Sequence, residues 1–509
     1  MMGRFAGLGA SGNPKARYKR PYGNGRFFHG KSRTQERIDT KLGRIPGAMM
    51  GGTLMRYRDD DLHTFDQYLC NEQYDDKMPW DAGTDGEYIP IRQRKPRVIW
   101  NLPKRIVNTV ASKLCGDDVF PNFHVEDDPD TEQFVSLLNK TANLKHNVLG
   151  AVKKTLGTGS NFLRFYVVGS TIRMVGYDAK YCYPQFDDEG HLSFVEIRYV
   201  YEDEDDRDER GNPKEKWYRL TLSNTEDALY DNPLFVAGST APQFTEVARL
   251  THGLGFVQGQ WFRTEFNQHC PDGPSLLEGS LEFFDSLNYS LSQADQAVAY
   301  AQEPQLAVKG MDVDDIDELI KSSTKAWALG RDGEASFVEA DLSGVEKGME
   351  LRDKFKQHIT DVCRVVMLDP EKIVGSAQSA KAMEVLHGPL VELVGELRQM
   401  IGPQIEELVT KLVVVVLTLN AQGMNEVIAI PKGWEPKSLT LTTDWPQIFP
   451  MTMEDLKNKV GVGVQVANAN IISRESITRW VAKDFGIDNI DEEISKVAAQ
   501  PVMNPFGAF

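Results

Sequence analysis

Cysteine is scarce in this chain of 509 residues, and its spacing excludes two classes of site. The five cysteines lie far apart, are odd in number and form no CxxC pair. We therefore expect neither a disulfide framework nor a zinc site, and the pattern favours a reducing cytoplasm. The cysteines are Cys70, Cys115, Cys182, Cys270 and Cys363.

Motifs for nucleotide binding and catalysis are also lacking. The chain has no GxxxxGKS/T phosphate loop, no GxSxG nucleophile elbow and no HExxH zinc motif. The glycine-rich stretches GTGSN at Gly157 and GLGFVQG at Gly253 lack the spacing of nucleotide-binding loops, so we predict turns there. We expect no enzymatic activity, no metal and no cofactor.

Long hydrophobic runs are absent. The longest, LVVVVLTL, spans Leu412 to Leu419, whereas a membrane-spanning helix needs about 20 apolar residues. The N-terminus lacks the apolar core of a secretory signal. These features predict no membrane partner.

Charge is unevenly distributed along the chain. The net formal charge of −17 argues against a protein that coats nucleic acid with its whole surface, although local contact with DNA remains compatible. The first 45 residues reverse the sign, with eleven Lys or Arg against two Asp or Glu. We predict that residues 1–50 form a basic flexible arm. A transit peptide, or an arm that touches nucleic acid or an acidic partner, is the alternative.

Residues 51–274 have a mixed α/β pattern. Asn101 is placed to cap a helix that has Pro103 in its first turn and Gly116 at its end. A later helix runs through the glycine turn into a strand, and the strands YCYPQF and LSFVEIRYVY follow. WYRLTL is expected to pair with the second of these across an acidic loop. Because the loop carboxylates lack the alternation of a calcium site, we predict a solvated hairpin tip.

Two long helices are predicted next. Apolar residues recur at steps of three and four from Ser275 to Glu303, which gives a stripe suited to packing on another helix. Residues 304–342 are expected to form a small α/β insert. The second helix spans 343–367 and opens with a Ser-x-x-Glu capping box.

The last third of the chain is mainly helical in pattern. A loop at 368–380, which contains the small uncharged string GSAQS, precedes a long stretch at 381–450. Pro389 and Pro403 are expected to bend a helix in that stretch before a final strand. Residues 451–509 are predicted to form short helices. The whole chain therefore predicts an α+β fold, and its length predicts two to four domains.

The order of these elements resembles the portal, or head-to-tail connector, family of tailed bacteriophages. In that family a mixed α/β wing precedes a stem helix that is similar here to DGPSLLEGSLEFFDSLNYSLSQADQAVA. A small α/β clip, a second stem helix, a tunnel loop similar to GSAQSAKAMEVL and a helical crown similar to ISRESITRWVAKDFGIDNIDEEISKV follow in the family's order. The resemblance covers roughly residues 90–497 and excludes the basic arm. It implies a portal-like fold.

The resemblance also implies a function. Portal proteins form a homo-oligomeric ring, a dodecamer, at one capsid vertex, and double-stranded DNA threads its channel in genome packaging and ejection. The tunnel loop would face DNA, where small polar residues suit passage because arginines would bind phosphates strongly. A tight helix–helix turn with exposed lysines is the alternative for the two flanking lysines. The implied DNA-facing residues are Lys372, Val374, Gly375, Ser376, Ala377, Gln378, Ser379 and Lys381.

Further partners follow from the resemblance. The clip end would meet the terminase motor during packaging and a head-completion or adaptor protein afterwards, within a vertex built by major capsid and scaffolding proteins. The protein would then lie in the virion, after assembly in the host cytoplasm. The candidate clip anchors are Lys321, Lys325, Trp327 and Arg331, and the alternative is that Trp327 packs the clip core.

Two other functions stay open at this point. A nucleic-acid-processing ATPase or nuclease subunit is the first, although the missing phosphate loop counts against it. A helical scaffold of an organelle is the second, and only the basic N-terminus suggests it.

Overall fold

The computed structural model describes much of the chain from residue 53 onwards and confirms the α+β class, since helices combine with antiparallel sheets. The chain divides into two compact units, Met1–Val365 with Val394–Pro446, and Val366–Leu393 with Gln447–Phe509. No helix of the described ranges is long and apolar enough to cross a membrane. Those ranges are 53–80, 89–126, 128–236, 242–266, 270–302, 305–309, 334–338, 343–366, 380–423, 427–430, 434–437, 439–449, 453–469, 471–482, 485 and 494–496.

Four α-helices come first among the described residues of the first unit, and the second of them is the helix predicted from its caps. The Asn101 side chain accepts a hydrogen bond from the Lys104 amide at 3.2 Å, Pro103 lies in the first turn, and Gly116 follows the last residue. The apolar face predicted for this helix is buried. The helices are α1 (Thr53–Cys70), α2 (Leu102–Cys115), α3 (Pro129–Thr141) and α4 (Leu144–Thr158). The buried face is Ile106, Val107, Val110, Ala111 and Leu114.

The strands pair antiparallel in small sheets. Strand β2 lies between β3 and β9 in a three-stranded sheet, and β4 to β8 form a five-stranded sheet in chain order. The strands are β1 (Asn122–Val125), β2 (Ser160–Val168), β3 (Thr171–Asp178), β4 (Cys182–Phe186), β5 (Leu192–Arg207), β6 (Pro213–Ser223), β7 (Glu226–Tyr230), β8 (Glu246–Thr251), β9 (Gly259–Arg263), β10 (Gln305–Lys309), β11 (Glu334–Val338) and β12 (Leu441–Asp444).

The core of the first unit joins both larger sheets. Phe162 and Trp261 of the three-stranded sheet belong to one buried apolar cluster with Ile197 and Leu220 of the five-stranded sheet. Leu62 of α1 completes this cluster. Burial of these side chains on several elements fixes the sheets against each other, since each contributes roughly 1.5–3 kcal/mol of transfer free energy.

Charged groups also hold α1 in place. Asp66 accepts hydrogen bonds from the ammonium groups of Lys154 at 3.2 Å and Lys180 at 2.5 Å. The side chains of Asp66 and Lys180 are each only 13% exposed. Burial alone would raise the pKa of Asp66, but the two lysines outweigh it and lower that pKa below its ordinary value of 3.8.

The glycine turn between α4 and β2 is confirmed. Gly159 has a φ of +95°, and a Cβ there would lie 2.1 Å from the carbonyl oxygen of Gly273. A left-handed conformation and this close approach both require glycine. The turn carries the chain from the end of a helix directly into the central strand of the three-stranded sheet.

The predicted pairing across the acidic loop is confirmed, but the loop is much shorter than expected. Strands β5 and β6 extend to Arg207 and Pro213, so only 208–212 form the tip. Lys216 lies 3.0 Å from an Asp203 oxygen and 2.8 Å from an Asp206 oxygen. The carboxylates therefore alternate with lysines across a ladder, which is why the strands continue where the sequence suggested a loop.

Both long helices are shorter than predicted. The first, α5 (Leu281–Gln302), begins six residues after Ser275 because Gly279 adopts a left-handed φ of +82° and closes a turn. The second, α6 (Ser343–Val362), ends before Met367. Arg364 has a φ of +52°, and the Val365 amide bonds the Thr360 carbonyl at 3.0 Å, an arrangement that ends helices.

The long helical stretch after residue 380 is confirmed with one break. Helix α7 (Ala380–Leu386) and helix α8 (Gly388–Ala421) are separated at His387. Pro389 therefore falls in the first turn of α8, where proline is tolerated, while Pro403 lies inside the helix. Within the first unit, α8 is tied to β12, because Glu406 accepts hydrogen bonds from the amide and hydroxyl of Thr443 at 2.7 and 2.8 Å.

The second unit contains the predicted C-terminal helices. They are α9 (Met453–Asn468) and α10 (Arg474–Ala482). The Lys459 ammonium lies 4.8 Å from the centre of the Trp480 ring, and a Cβ added to Gly463 would contact Ile477 and Trp480. The two helices therefore pack closely through small and aromatic residues.

Candidate functional site: the helix pair and its β-ribbon

Helices α5 and α6 form an antiparallel pair. The Ser280 hydroxyl, just before α5, lies 3.4 Å from the Cys363 sulfur, just after α6. Phe283 contacts Phe355 and His358, with ring centroids 6.3 and 5.9 Å apart. The start of one helix therefore lies beside the end of the other, as in an antiparallel helix pair.

A two-stranded ribbon follows α5 and precedes α6. Strands β10 and β11 pair antiparallel, with Gln305 opposite Val338 and Lys309 opposite Glu334. Only short segments separate β10 from Gln302 and β11 from Ser343. The ribbon therefore lies within residues 304–342, for which the sequence predicted a small α/β insert, and residues 310–333 connect its two strands along the chain.

The polar face of α5 anchors the chain's own segment 89–100, a role that sequence reasoning missed. Asn288 accepts a hydrogen bond from the Trp100 amide at 2.9 Å and donates one to the Tyr74 hydroxyl at 3.1 Å. The Ser292 hydroxyl accepts from the Val98 amide at 3.1 Å. The sequence signal that could have indicated this role is the set of polar residues Asp285, Asn288 and Ser292, which recur at helical spacing beside the apolar stripe of α5.

That polar face also carries a buried acid. Asp285 accepts a hydrogen bond from the Tyr74 hydroxyl at 2.7 Å. Burial raises the pKa of Asp285, and the hydrogen bonds from Tyr74 and Tyr68 only partly oppose this. The acid therefore serves as a fixed acceptor within the anchoring network.

Helix α6 exposes apolar side chains on more than one side of the helix, among charged ones. Met349, Leu351 and Val362 are 44%, 47% and 49% exposed. The described helix contains four acidic residues and four Lys or Arg, whereas α5 contains three acidic residues and no Lys or Arg. The pair is thus mildly acidic and has apolar groups available for contact.

Most predicted site residues lie outside the described ranges. Lys381 falls in α7, and no contact of its side chain is described. The described residues therefore do not test these site assignments, which stay predictions. The residues outside the described ranges are Lys321, Lys325, Trp327, Arg331, Lys372, Val374, Gly375, Ser376, Ala377, Gln378 and Ser379.

Comparison with known proteins identifies the family of this chain. The family model described as "Phage portal protein, SPP1 Gp6-like" matches residues 57–503. No curated protein matches the chain.

Two solved structures of particle assemblies show low similarity to this chain. One, "Neck of native GTA particle computed with C12 symmetry", is 9% identical, covers 74% of this chain and 88% of its own, and has a TM-score of 0.37. Another, "Virion of native gene transfer agent (GTA) particle", is 10% identical with the same coverage and a TM-score of 0.39. The family match spans most of the chain, and by it the protein belongs to the SPP1 Gp6-like family of phage portal proteins, which form the channel at a capsid vertex.

Proposed function

We propose that this chain assembles into a homo-oligomeric ring of twelve subunits around a channel for double-stranded DNA. The ring lies at one vertex of the virion capsid and conducts the genome during packaging and ejection. It is a structural component and not an enzyme. The family match over residues 57–503 carries this proposal, and the antiparallel α5–α6 pair with its ribbon supports it.

The charges of the helix pair suit a channel. In the proposed ring the long helices line the bore, and DNA moves past them. Helix α5 has no Lys or Arg, and the charges of α6 balance. A bore of this kind makes few persistent contacts with phosphates, so DNA is not held in place.

The ring is tested by assembly of the purified protein. Sedimentation and negative-stain imaging should show a particle with a central hole, whereas a monomer of 57.2 kDa at every concentration would overturn the proposal. Hydrolysis of ATP by the protein alone would favour the nucleic-acid-processing ATPase instead.

The tunnel loop is proposed to face DNA. Val374, Gly375, Ser376, Ala377, Gln378 and Ser379 combine small size with weak hydrogen-bonding groups, which accept any base order. Lys372 and Lys381 flank the loop and supply contacts to phosphates.

The clip is proposed to bind the terminase motor and then the adaptor protein. Its residues connect the two strands of a described ribbon, which supports a projecting binding element. Lys321 and Lys325 add positive charge, and Trp327 and Arg331 are residue types that often anchor interfaces. W327A and R331A should each weaken motor and adaptor binding in an assembled ring. Unchanged binding of both partners in assembled rings would remove the assignment.

Other contacts follow from the position of a ring at a capsid vertex. Major capsid and scaffolding proteins surround the ring during assembly in the host cytoplasm. Co-purification of the ring with these proteins from infected cells, and its presence in finished virions, tests this location.

A further inference from the structure

A cavity of about 210 Å³ lies in the first unit, away from the helix pair. Strands β2, β6, β7 and β8 form its walls together with the last turns of α8. Gly253 and Gln422, which also line it, are exposed, so the cavity reaches the surface beside them. A space of this size exceeds the roughly 30 Å³ share of one water molecule several-fold.

Three ionisable side chains line this cavity and are almost fully buried. The side chains of Arg164, Asp227 and His252 are 10%, 3% and 9% exposed. Arg164 Nη2 lies 4.0 Å from Asp227 Oδ2, and His252 Nε2 lies 3.4 Å from Asp227 Oδ1. These separations bring the three groups together without a short hydrogen bond between them.

Four polar atoms of this cluster lack hydrogen-bond partners. They are Arg164 Nε, Asp227 Oδ1 and both ring nitrogens of His252. Buried polar groups in native proteins are almost always satisfied, so such a concentration in one cavity indicates an occupant. The occupant has to accept a hydrogen bond from Arg164 and donate one to Asp227.

The charges of Arg164 and Asp227 determine which class of ligand fits the cavity. A simple anion would approach Arg164 but would also meet the buried Asp227 carboxylate. A simple cation would approach Asp227 but would meet the Arg164 guanidinium. A molecule with both a carboxylate and an ammonium group satisfies both, because each of its charges finds the opposite one.

The remaining walls are apolar and aromatic. Leu229, Val415 and Leu419 line the cavity, and so do the rings of Tyr166 and Tyr218. The Arg164 guanidinium lies 5.0 Å from the centre of the Tyr166 ring. These surfaces suit the apolar side chain of a small ligand, while the charged cluster holds its polar end.

We propose that this cavity binds a small zwitterion, a free amino acid with an apolar side chain. Its carboxylate accepts from Arg164, its ammonium group donates to Asp227, and its side chain packs against the leucines and valine. The ligand joins the last turns of α8 to the two larger sheets, so its binding stabilises that junction.

The test uses the full-length protein and free amino acids as probes. Thermal shift and calorimetry with each of the twenty amino acids should show binding by at least one apolar member. The N-acetyl derivative of that amino acid lacks the ammonium group, and its amide lacks the carboxylate. Each should bind about 30-fold or more weaker, because each loses one of the two hydrogen bonds between charged groups that hold the parent amino acid.

A matched pair of variants at Gly253, where the cavity opens to the surface, tests whether the amino acid binds in this cavity. A Cβ added to Gly253 meets no atom within 4 Å, so substitutions there leave the charged cluster intact. Gly253→Phe should weaken binding by crowding the mouth of the cavity, whereas Gly253→Ala should retain it.

Three outcomes would overturn the proposal. If none of the twenty amino acids binds, the cavity holds only water. If the N-acetyl derivative or the amide binds as well as the parent amino acid, the ligand is not recognised as a zwitterion. If Gly253→Phe binds with unchanged affinity, the site lies elsewhere on the protein.

Discussion

Substitution of Asn288 tests the network that fixes segment 89–100 against α5. Asn288 is 1% exposed, and its amide joins the Trp100 backbone to the Tyr74 hydroxyl. In Asn288→Ala the Trp100 amide loses its acceptor and the hydroxyl loses its donor. The unsatisfied Trp100 amide costs about 1–3 kcal/mol, and the Tyr74 hydroxyl, which still donates to Asp285, loses a hydrogen bond worth about 1 kcal/mol. We therefore expect the local structure to lose about 2–4 kcal/mol in total.

Hydrogen exchange measures this loss where it occurs. The Trp100 amide is itself the donor in the lost bond, so a peptide covering 97–101 should exchange faster by roughly 30- to 700-fold. The control is Gln293→Ala, which removes an exposed amide from the same helix. If the two variants exchange alike at 97–101, the network does not hold this segment.

Three further predictions concern the loop, a buried acid and the glycine turn. The double variant Ser376→Arg, Gln378→Arg should still assemble into rings but should package shorter DNA, most of all at low salt, because the added positive charges hold phosphates. The matched double glutamate variant should show no such salt dependence. If the arginine variant packages DNA of normal length at every salt concentration, the loop does not face the channel. Asp66→Asn should lower the free energy of unfolding by about 3 kcal/mol at pH 7. Because the pKa of Asp66 is lowered in the folded protein, this contribution is present above pH 3.8 and is lost as the pH falls through the folded pKa. The melting temperatures of wild type and variant should therefore converge in acid, and a constant difference would contradict the ion-pair argument. Gly159→Ala should lower the melting temperature, because the added Cβ would lie 2.1 Å from a backbone carbonyl oxygen. Gly150→Ala, in open space within α4, should raise the melting temperature slightly. Equal effects of the two substitutions would refute the steric argument.

Local signals predicted much of the fold. The α2 helix follows from its cap, its first-turn proline and its apolar spacing, all of which act within a few residues. The ends of α5 and α6 did not follow, because they depend on left-handed conformations at Gly279 and Arg364 that apolar periodicity does not report. The strands beyond Tyr201 were missed because the acidic run pairs with lysines that only the ladder brings opposite.

Sites built from distant segments were harder to predict. Arg164, Asp227 and His252 lie on separate strands or loops and share no motif, so their meeting depends on the order of the sheets. The polar face of α5 was likewise visible only as a pattern without a partner. The family could be predicted from the sequence, because its recognition depends on the order of the elements and not on any single site.

The register of the β10–β11 ribbon has an evolutionary consequence. Its last pair, Lys309 with Glu334, brings the two ends of the 24-residue connection at 310–333 to the same point. Because neighbouring strands lie about 5 Å apart, any sequence whose ends meet at that spacing can replace this connection without disturbing the helices. Insertions, deletions and exchanges are therefore tolerated there more readily than in α5 or α6. If residues 310–333 bind partners as proposed, this segment can diverge with those partners while α5 and α6 stay the same.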